Sequence, residues 1–440
     1  MSEHSPSSSP ADEVVALCRD LIRIDSVNHG DGSGPGERKA AEYVAEKLAD
    51  VGLDPVLLES APGRTTVVAR VDGSDPGRND ALLVHGHLDV VPADAADWTH
   101  DPFGGEIADG CVWGRGAIDM KDMDAMILAV VRDRLRSGRL PNRPLVLCFL
   151  ADEEAGGVLG SHWIVDNHPQ LFDGCTEGIS EVGGFSLTVH EDLRLYLIET
   201  AEKGIEWMRL TVDGTAGHGS MINDDNAVSE LAAAVARLGR YEWPVRLTPS
   251  VRAFIAAASD AFDIELDPSD PGQFYKTLGT ISKIIVATLR NTANPTMLRA
   301  GYKHNVVPGR AEAYIDGRFL PGHREEFLAT VDDILGPRVR REALVSDIAL
   351  ETAFSGGLVE AMSAALRAED PAARPVPYCV SAGTDAKAFS DLGIRGFGFA
   401  PLRLPPELDF AGMFHGVDER VPIDGLRFGA RVLDRFLDLA

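Results

Sequence analysis

Leu82-Leu83-Val84-His85-Gly86-His87-Leu88-Asp89 is an apolar run of strand length that ends in a cluster of two histidines and an aspartate. A second such run, Val146-Leu147-Cys148-Phe149, passes through Leu150-Ala151 into Asp152-Glu153-Glu154-Ala155-Gly156-Gly157. Unbroken apolar runs of this length read as strands of a parallel sheet, and ligands of open α/β sheets gather at the carboxyl ends of such strands. The two polar clusters therefore mark where chemistry sits.

The surroundings agree with an α/β layering. Helical spacing runs from about Asp12 through Val14, Leu17, Cys18, Leu21 and Ile22, and again from Arg38 to Val51, where Gly52 stops it. Strand-like segments follow at Thr65–Val71, Ala81–His85 and Leu145–Leu150, with a helix over Asp122–Ser137 between the last two. Around Thr200 the character changes to a second, α+β module: a strand over Glu206–Asp213, a helix over Ala227–Leu238 and a strand over Ala311–Phe319. A connection from Tyr241 to Tyr302, with a Pro/Asp cluster at Asp267–Pro271, holds at least two helical stretches that the pattern does not place. A helix over Leu358–Ala368, a short strand near Gly396–Phe399 and a helix over Asp424–Leu439 complete the chain.

The 440 residues suffice for two or three domains. With 45% apolar and 25% charged residues the chain is of ordinary globular composition. Its 42 basic and 68 acidic side chains leave a net charge of −26, a field that repels phosphate backbones and anionic membranes and attracts cations. Nucleic-acid and membrane partners are not expected. Five scattered cysteines form neither a disulfide framework nor a C-x-x-C pair. The Ser/Pro-rich start, Met1 to Pro10, has no apolar core of a signal peptide and reads as frayed, and no apolar run approaches the ~20 residues that span a bilayer. A reducing, cytoplasmic setting is the expectation.

Taken singly, the polar clusters have ordinary readings. His87-Leu88-Asp89 is by itself a loop histidine beside a carboxylate, although alternate residues share a face and a carboxylate-held histidine is a common metal-ligand arrangement. Asp119, in Gly114-Arg115-Gly116-Ala117-Ile118-Asp119, or Asp122 would serve as a helix N-cap. Three consecutive carboxylates, Asp152 to Glu154, repel one another unless something positive neutralises them, and a divalent cation would. Glu181 before Gly183-Gly184 reads as a turn, and His415, in Phe414-His415-Gly416, as a surface histidine. As an ensemble, His, Asp, Glu, Glu and His form the mixed nitrogen and oxygen set that zinc accepts, and one Asp can bridge two ions.

These five motifs, in this order and spread from His85 to Pro422, resemble the dinuclear zinc amidohydrolases that include aminoacylase, acetylornithine deacetylase, succinyl-diaminopimelate desuccinylase and carboxypeptidases G and S. The resemblance implies a zinc-exopeptidase-like catalytic domain, a mixed sheet flanked by helices, made of residues 1–201 and 351–440. It implies an inserted α+β lid and dimerisation domain over 202–350. Two Zn2+ ions per subunit are implied, with Co2+ or Mn2+ able to substitute: His87 and Glu181 hold one, Glu154 and His415 the other, and Asp119 bridges. Glu153 takes the place of the general base and Asp89 that of the partner orienting His87. A non-proline cis peptide would fall at Asp119-Met120.

In the second module, Gly217-His218-Gly219-Ser220 resembles a lid motif whose histidine stabilises the oxyanion, in dimeric relatives from the neighbouring subunit, though read alone His218 is a surface-loop histidine. Asn305 and Arg318 resemble lid positions near substrate, Arg318 serving equally as a structural ion-pair residue. Gly383 and Thr384 resemble a loop facing the substrate's carboxylate. Asp122 stands where relatives mostly carry Gly, Met221 follows Ser220 where many have a Pro soon after, and the lid is longer than in compact members. The long insert leans towards the carboxypeptidase S-like and dipeptidase branch, and it could itself do the work of a dimer interface within one chain.

The implied activity is water-driven hydrolysis of an amide bond in a small carboxylate-bearing substrate: a dipeptide, a C-terminal peptide bond or an N-acyl amino acid. The alternatives are a biosynthetic deacylase of the acetylornithine or succinyl-diaminopimelate type, or a catalytically inactive binding protein on the same fold. A serine hydrolase is disfavoured because no G-x-S-x-G elbow occurs.

Overall fold

The computed structural model of the protein describes residues 10–440, so nearly all of the start expected to be frayed lies outside the described residues. Two sheets organise them. The larger is a ten-stranded mixed sheet with a central order of Val56–Ala61, Arg64–Val71, Leu145–Leu150, Ala81–His87, Cys175–Ser180, Arg395–Gly398, Leu193–Glu202 and Leu350–Glu351. Ala81–His87 lies parallel to both Leu145–Leu150 and Cys175–Ser180. Side chains of alternating parity feed two cores. Leu82, Val84, Leu145, Leu147 and Phe149 pack with the helices Pro10–Arg23, Lys121–Arg136 and Ile423–Leu439. Leu83, Val146, Cys148 and Leu150 pack with Ile164, Phe172 and Phe389 on the opposite side. Burial on both faces is why these strands read as continuous apolar runs rather than alternating ones.

The smaller sheet is antiparallel, in the order Thr292–Ala300, Arg310–Phe319, Gly204–Asp213, Arg340–Asp347. Among the described residues, one of its faces carries a core. Met208, Leu210, Val212, Ala313 and Ile315 pack with Leu231 and Leu238 of the helix Ala227–Gly239 and with Phe327 and Val331 of the helix Arg324–Leu335. The chain passes from the larger sheet to the smaller at Lys203, between Leu193–Glu202 and Gly204–Asp213.

The unplaced connection contains three helices, Pro249–Phe262, Pro271–Leu278 and Ser282–Ala287. Thr248 and Asp270 cap the first two through their side-chain oxygens, and each is followed by a proline at the first helical position. The Pro/Asp cluster is thus a helix start. These helices do not join the smaller core: Val251, Phe254, Phe274, Leu278, Ile281 and Ile285 belong to the larger one. Lys203, itself buried, donates to the carbonyls of Ala287 and Arg290 at 3.1 and 2.9 Å and ties down the end of the third helix. All five cysteines are free, and among the described residues no helix is long and apolar enough to cross a membrane.

Candidate metal centre

Three adjacent parallel strands deliver most of the site. Ala81–His87 ends on His87, Leu145–Leu150 runs into Asp152-Glu153-Glu154, and Cys175–Ser180 is followed at once by Glu181. Gly86 is required between the two histidines, because a Cβ there would lie 2.4 Å from Asp124 Oδ1 and 2.6 Å from Met120 Cε. A Cβ on Gly183 would lie 1.9 Å from the Gly398 carbonyl, so Glu181 does precede a glycine-dependent turn. Val182 between them has φ 51°, an unusual conformation for a β-branched residue.

Asp119 reaches the strand ends from the loop ahead of the helix Lys121–Arg136, and the Asp119-Met120 peptide is cis. Its two carboxylate oxygens face different histidines: Oδ1 is 3.2 Å from His87 Nε2 and Oδ2 is 3.2 Å from His415 Nε2. Glu181 Oε2 and Glu153 Oε2 stand 3.6 and 3.9 Å from His87 Nε2, and Glu154 Oε2 stands 3.0 Å from His415 Nε2. His87, Asp119 and Glu154 bring ligand atoms within 4.8 Å of one another, as do His87, Glu153 and Glu181.

The electrostatics ask for positive charge. Burial, followed by the neighbouring Glu181, pushes the Glu153 carboxyl well above the usual range. Burial and Asp119 push Glu154 up to about 7. His415 is raised to about 10 by its hydrogen bonds with Asp119 and Glu154. Burial would lower His87, but Glu181 and Asp119 outweigh it and raise this histidine well above its ordinary value. Glu154 Oε1 is buried with no hydrogen-bond partner. Four carboxylates around two imidazoles, with one oxygen left unpartnered, fit divalent cations held by nitrogen and oxygen donors.

The surrounding contacts differ from expectation at Asp89. Its carboxylate is 3.6 Å from His87 Nδ1, too far for a hydrogen bond, and the ring is held by the Asp89 main-chain oxygen at 3.0 Å. The carboxylate instead accepts the backbone N–H groups of Glu153 and Glu154, both at 3.1 Å. Asn28 Nδ2 bridges Asp89 and Asp152 at 2.9 and 3.0 Å, and Arg64 donates to Asn28 Oδ1 at 2.9 Å. Glu419 accepts from Ile118 N at 2.8 Å, Gly116 N at 3.1 Å and Arg115 at 2.7 Å, which fastens the loop carrying Asp119 to the segment carrying His415. Asn28, Arg64 and Glu419 have no local pattern that marks them in the sequence.

The cleft above the site has two halves. One, of about 340 Å³, runs along Val182, Ile284, Val380 and Phe414; the other, of about 320 Å³, includes His162, Trp207, Arg318, Thr384 and Asp385. Gly383 borders both. Thr384 gives its N–H and its hydroxyl to Glu202, each at 2.7 Å, and Arg318 is engaged by Asp316 at 2.7 and 3.2 Å. His218 and Asn305 are brought together with each other but do not line the cleft. Both are exposed, on and beside the two-stranded pairing of Gly217–His218 with Val306–Val307. His218 Nδ1 is 2.8 Å from Ser220 Oγ.

Comparison with known proteins places this geometry. The sequence pattern of peptidase family M20/M25/M40 matches residues 83–439. "Probable carboxypeptidase S-like 2" of Dictyostelium discoideum is 29% identical, over 78% of this chain and 68% of that protein. The N-fatty-acyl-amino acid synthase/hydrolase PM20D1 of Mus musculus is 27% identical, over 99% of this chain and 90% of its own. The M20 family metallo-carboxypeptidase Sso-CP2 from Sulfolobus solfataricus shares the fold with a TM-score of 0.75 at 20% identity, over 97% of this chain and 99% of that one. The match runs from the strand that ends on His87 to the end of the last helix, and the chain is a metallohydrolase that belongs to peptidase family M20/M25/M40.

Proposed function

We propose that this enzyme hydrolyses an amide bond in a small carboxylate-bearing substrate, a peptide or an N-acyl amino acid, using two zinc ions. The observation that carries the reading is Asp119, with one carboxylate oxygen towards His87 and the other towards His415. His87 and Glu181 would hold one ion, Glu154 and His415 the other, and Asp119 both; Co2+ or Mn2+ could substitute. Such ions supply Lewis acidity, making water acidic near neutral pH and polarising an amide carbonyl.

The chain's own groups move the proton. Glu153, next to ligand Glu154 and ionised once the neighbouring cations offset the effect of its burial, takes a proton from the attacking water on a carboxylate oxygen and gives it to the leaving amine. Asp89 positions Glu153 and Glu154 through their N–H groups. Gly383 lies at the junction of the cleft's halves, where the scissile bond would lie.

The same reading divides the chain into a catalytic body of 1–201 and 351–440 and a lid of 202–350 whose long insert packs back on the body. His218 would complete the site as an oxyanion donor, with Asn305 beside it, from a second copy in a homodimer. The exposure of Met221, Ile222 and Tyr302 beside these residues, at 70, 95 and 84%, supports an interface there. The free cysteines suit a reducing compartment, which we take to be the cytoplasm.

The test is turnover of a panel of dipeptides and N-acyl amino acids by the full chain after chelation and after zinc or cobalt loading. Loading should restore turnover and chelation abolish it, while the chelated protein keeps its far-UV circular dichroism, because the ligands sit on a scaffold built from separate apolar cores. A metal content of one ion or none at full activity would overturn the dinuclear assignment.

A further inference from the structure

The third helix of the insert reaches the metal centre. Lys283 and Ile284 line the same half of the cleft as Asp119, Glu154 and His415, although they lie at least 129 residues from the first two in sequence. Ile284 is half-buried against the larger core, as are Val182, Ala411 and Phe414 around the same space. Lys283 is the only Lys or Arg among the described residues lining this half, and Asp409 holds it at 3.2 Å. The remaining charge there is four carboxylates and His415. A second carboxylate on the substrate would meet four carboxylates and, as basic side chain, an exposed Lys283 that already faces Asp409, whereas an uncharged chain would bury itself against Ile284 and Phe414. The volume, about 340 Å³, suits a chain of medium length. Lys203 fixes this wall by holding the carbonyls at the end of the helix.

We propose that Ile284, carried on the insert, forms with Phe414 an apolar subsite that selects amide substrates bearing an uncharged aliphatic chain of medium length over acetyl and succinyl groups. This rests on the amidohydrolase reading above. It makes Ile284 a specificity-determining residue and gives the insert a part in the active site.

The experiment uses the zinc-loaded full chain, N-acetyl, N-succinyl and N-octanoyl derivatives of one amino acid, and octanoate as a binding probe in calorimetry. Wild type should favour octanoyl over both acetyl and succinyl by at least tenfold in kcat/KM. Ile284→Trp, which fills the space, should lower the octanoyl-to-acetyl ratio at least tenfold with metal content unchanged. Ile284→Ala, which removes the wall without crowding it, should lower that ratio severalfold and secures the test if the tryptophan variant does not fold. An unchanged ratio in the variants, or succinyl turned over best, overturns the subsite. If no amide is turned over, the amidohydrolase reading has failed, and the subsite is then judged on octanoate: binding at least tenfold tighter than acetate and succinate that is weakened in the variants supports it, and equal binding overturns it.

Discussion

The Asp89 carboxylate accepts the backbone N–H of Glu154 at 3.1 Å, and that of Glu153 at the same distance, so a residue two places after His87 sets the position of both glutamates. Asp89→Asn removes the charge that two N–H groups and Asn28 share, and its amide nitrogen would face one of them as a second donor. Metal affinity should fall about 10- to 100-fold, the range typical of groups that orient metal ligands, as read by competition with a chromogenic chelator. His87 keeps its main-chain partner in this variant. A role confined to His87 would therefore leave affinity unchanged.

Glu419 should matter for stability more than for the proton chemistry. It is fully buried, and it pairs with Arg115 while accepting from Gly116 and Ile118. Glu419→Ala would leave a buried guanidinium and two buried N–H groups without their partner, a change that costs about 3 to 5 kcal/mol when one member of a buried ion pair is removed. Urea unfolding of the metal-free protein should show the loss directly, apart from any effect on ligation. A loss under 1 kcal/mol would mean that water replaces the carboxylate.

What the sequence makes legible follows from where each group's partners lie. Val84 to Asp89 and Leu145 to Glu154 could be read because burial on both faces leaves an unbroken apolar run and the candidate ligands follow it directly. Ala373–Val380 escaped because Pro375 and Pro377 argue against a strand; among the described residues it pairs with Leu193–Glu202 alone, so its other edge needs no N–H donors. Leu193–Glu202 itself was obscured because the chain crosses between sheets at Lys203 without a turn. Asn28, Arg64 and Glu419 reach their partners across tens to hundreds of residues, and no local spacing records that. Ile284 was hidden for the same reason, inside a connection whose helices pack on a core formed by other segments.

Lys203 carries a pH signature. Burial drives its ammonium down to about 7, against an ordinary value of 10.5. Between these values the unfolded chain binds a proton that the folded one has shed, so stability rises with pH across that window on account of this group. Lys203→Met removes the linkage. The difference in unfolding free energy, wild type minus variant, should increase from pH 7 to pH 10 by up to about 1 kcal/mol per unit. A difference independent of pH would show that Lys203 keeps its charge in the fold, held by the carbonyls of Ala287 and Arg290.

Glu153 and Glu154 are neighbours for which two assays give opposite expectations. Glu153 Oε2 is 3.9 Å from His87 Nε2, and burial beside Glu181 raises its carboxyl, a shift that bound cations would offset so that it can accept a proton from water. Glu154 Oε2 is 3.0 Å from His415 Nε2, and its other oxygen is buried and unpartnered, as suits a ligand. Glu153→Gln keeps size and hydrogen-bonding shape but loses the proton acceptor, so two ions should remain while kcat falls by about 10² to 10⁴. Glu154→Gln loses a charged donor, so occupancy of one ion should fall first and activity with it. Metal analysis beside turnover separates the two. The reverse pattern, with metal lost from Glu153→Gln and kept by Glu154→Gln, would exchange the roles of base and ligand.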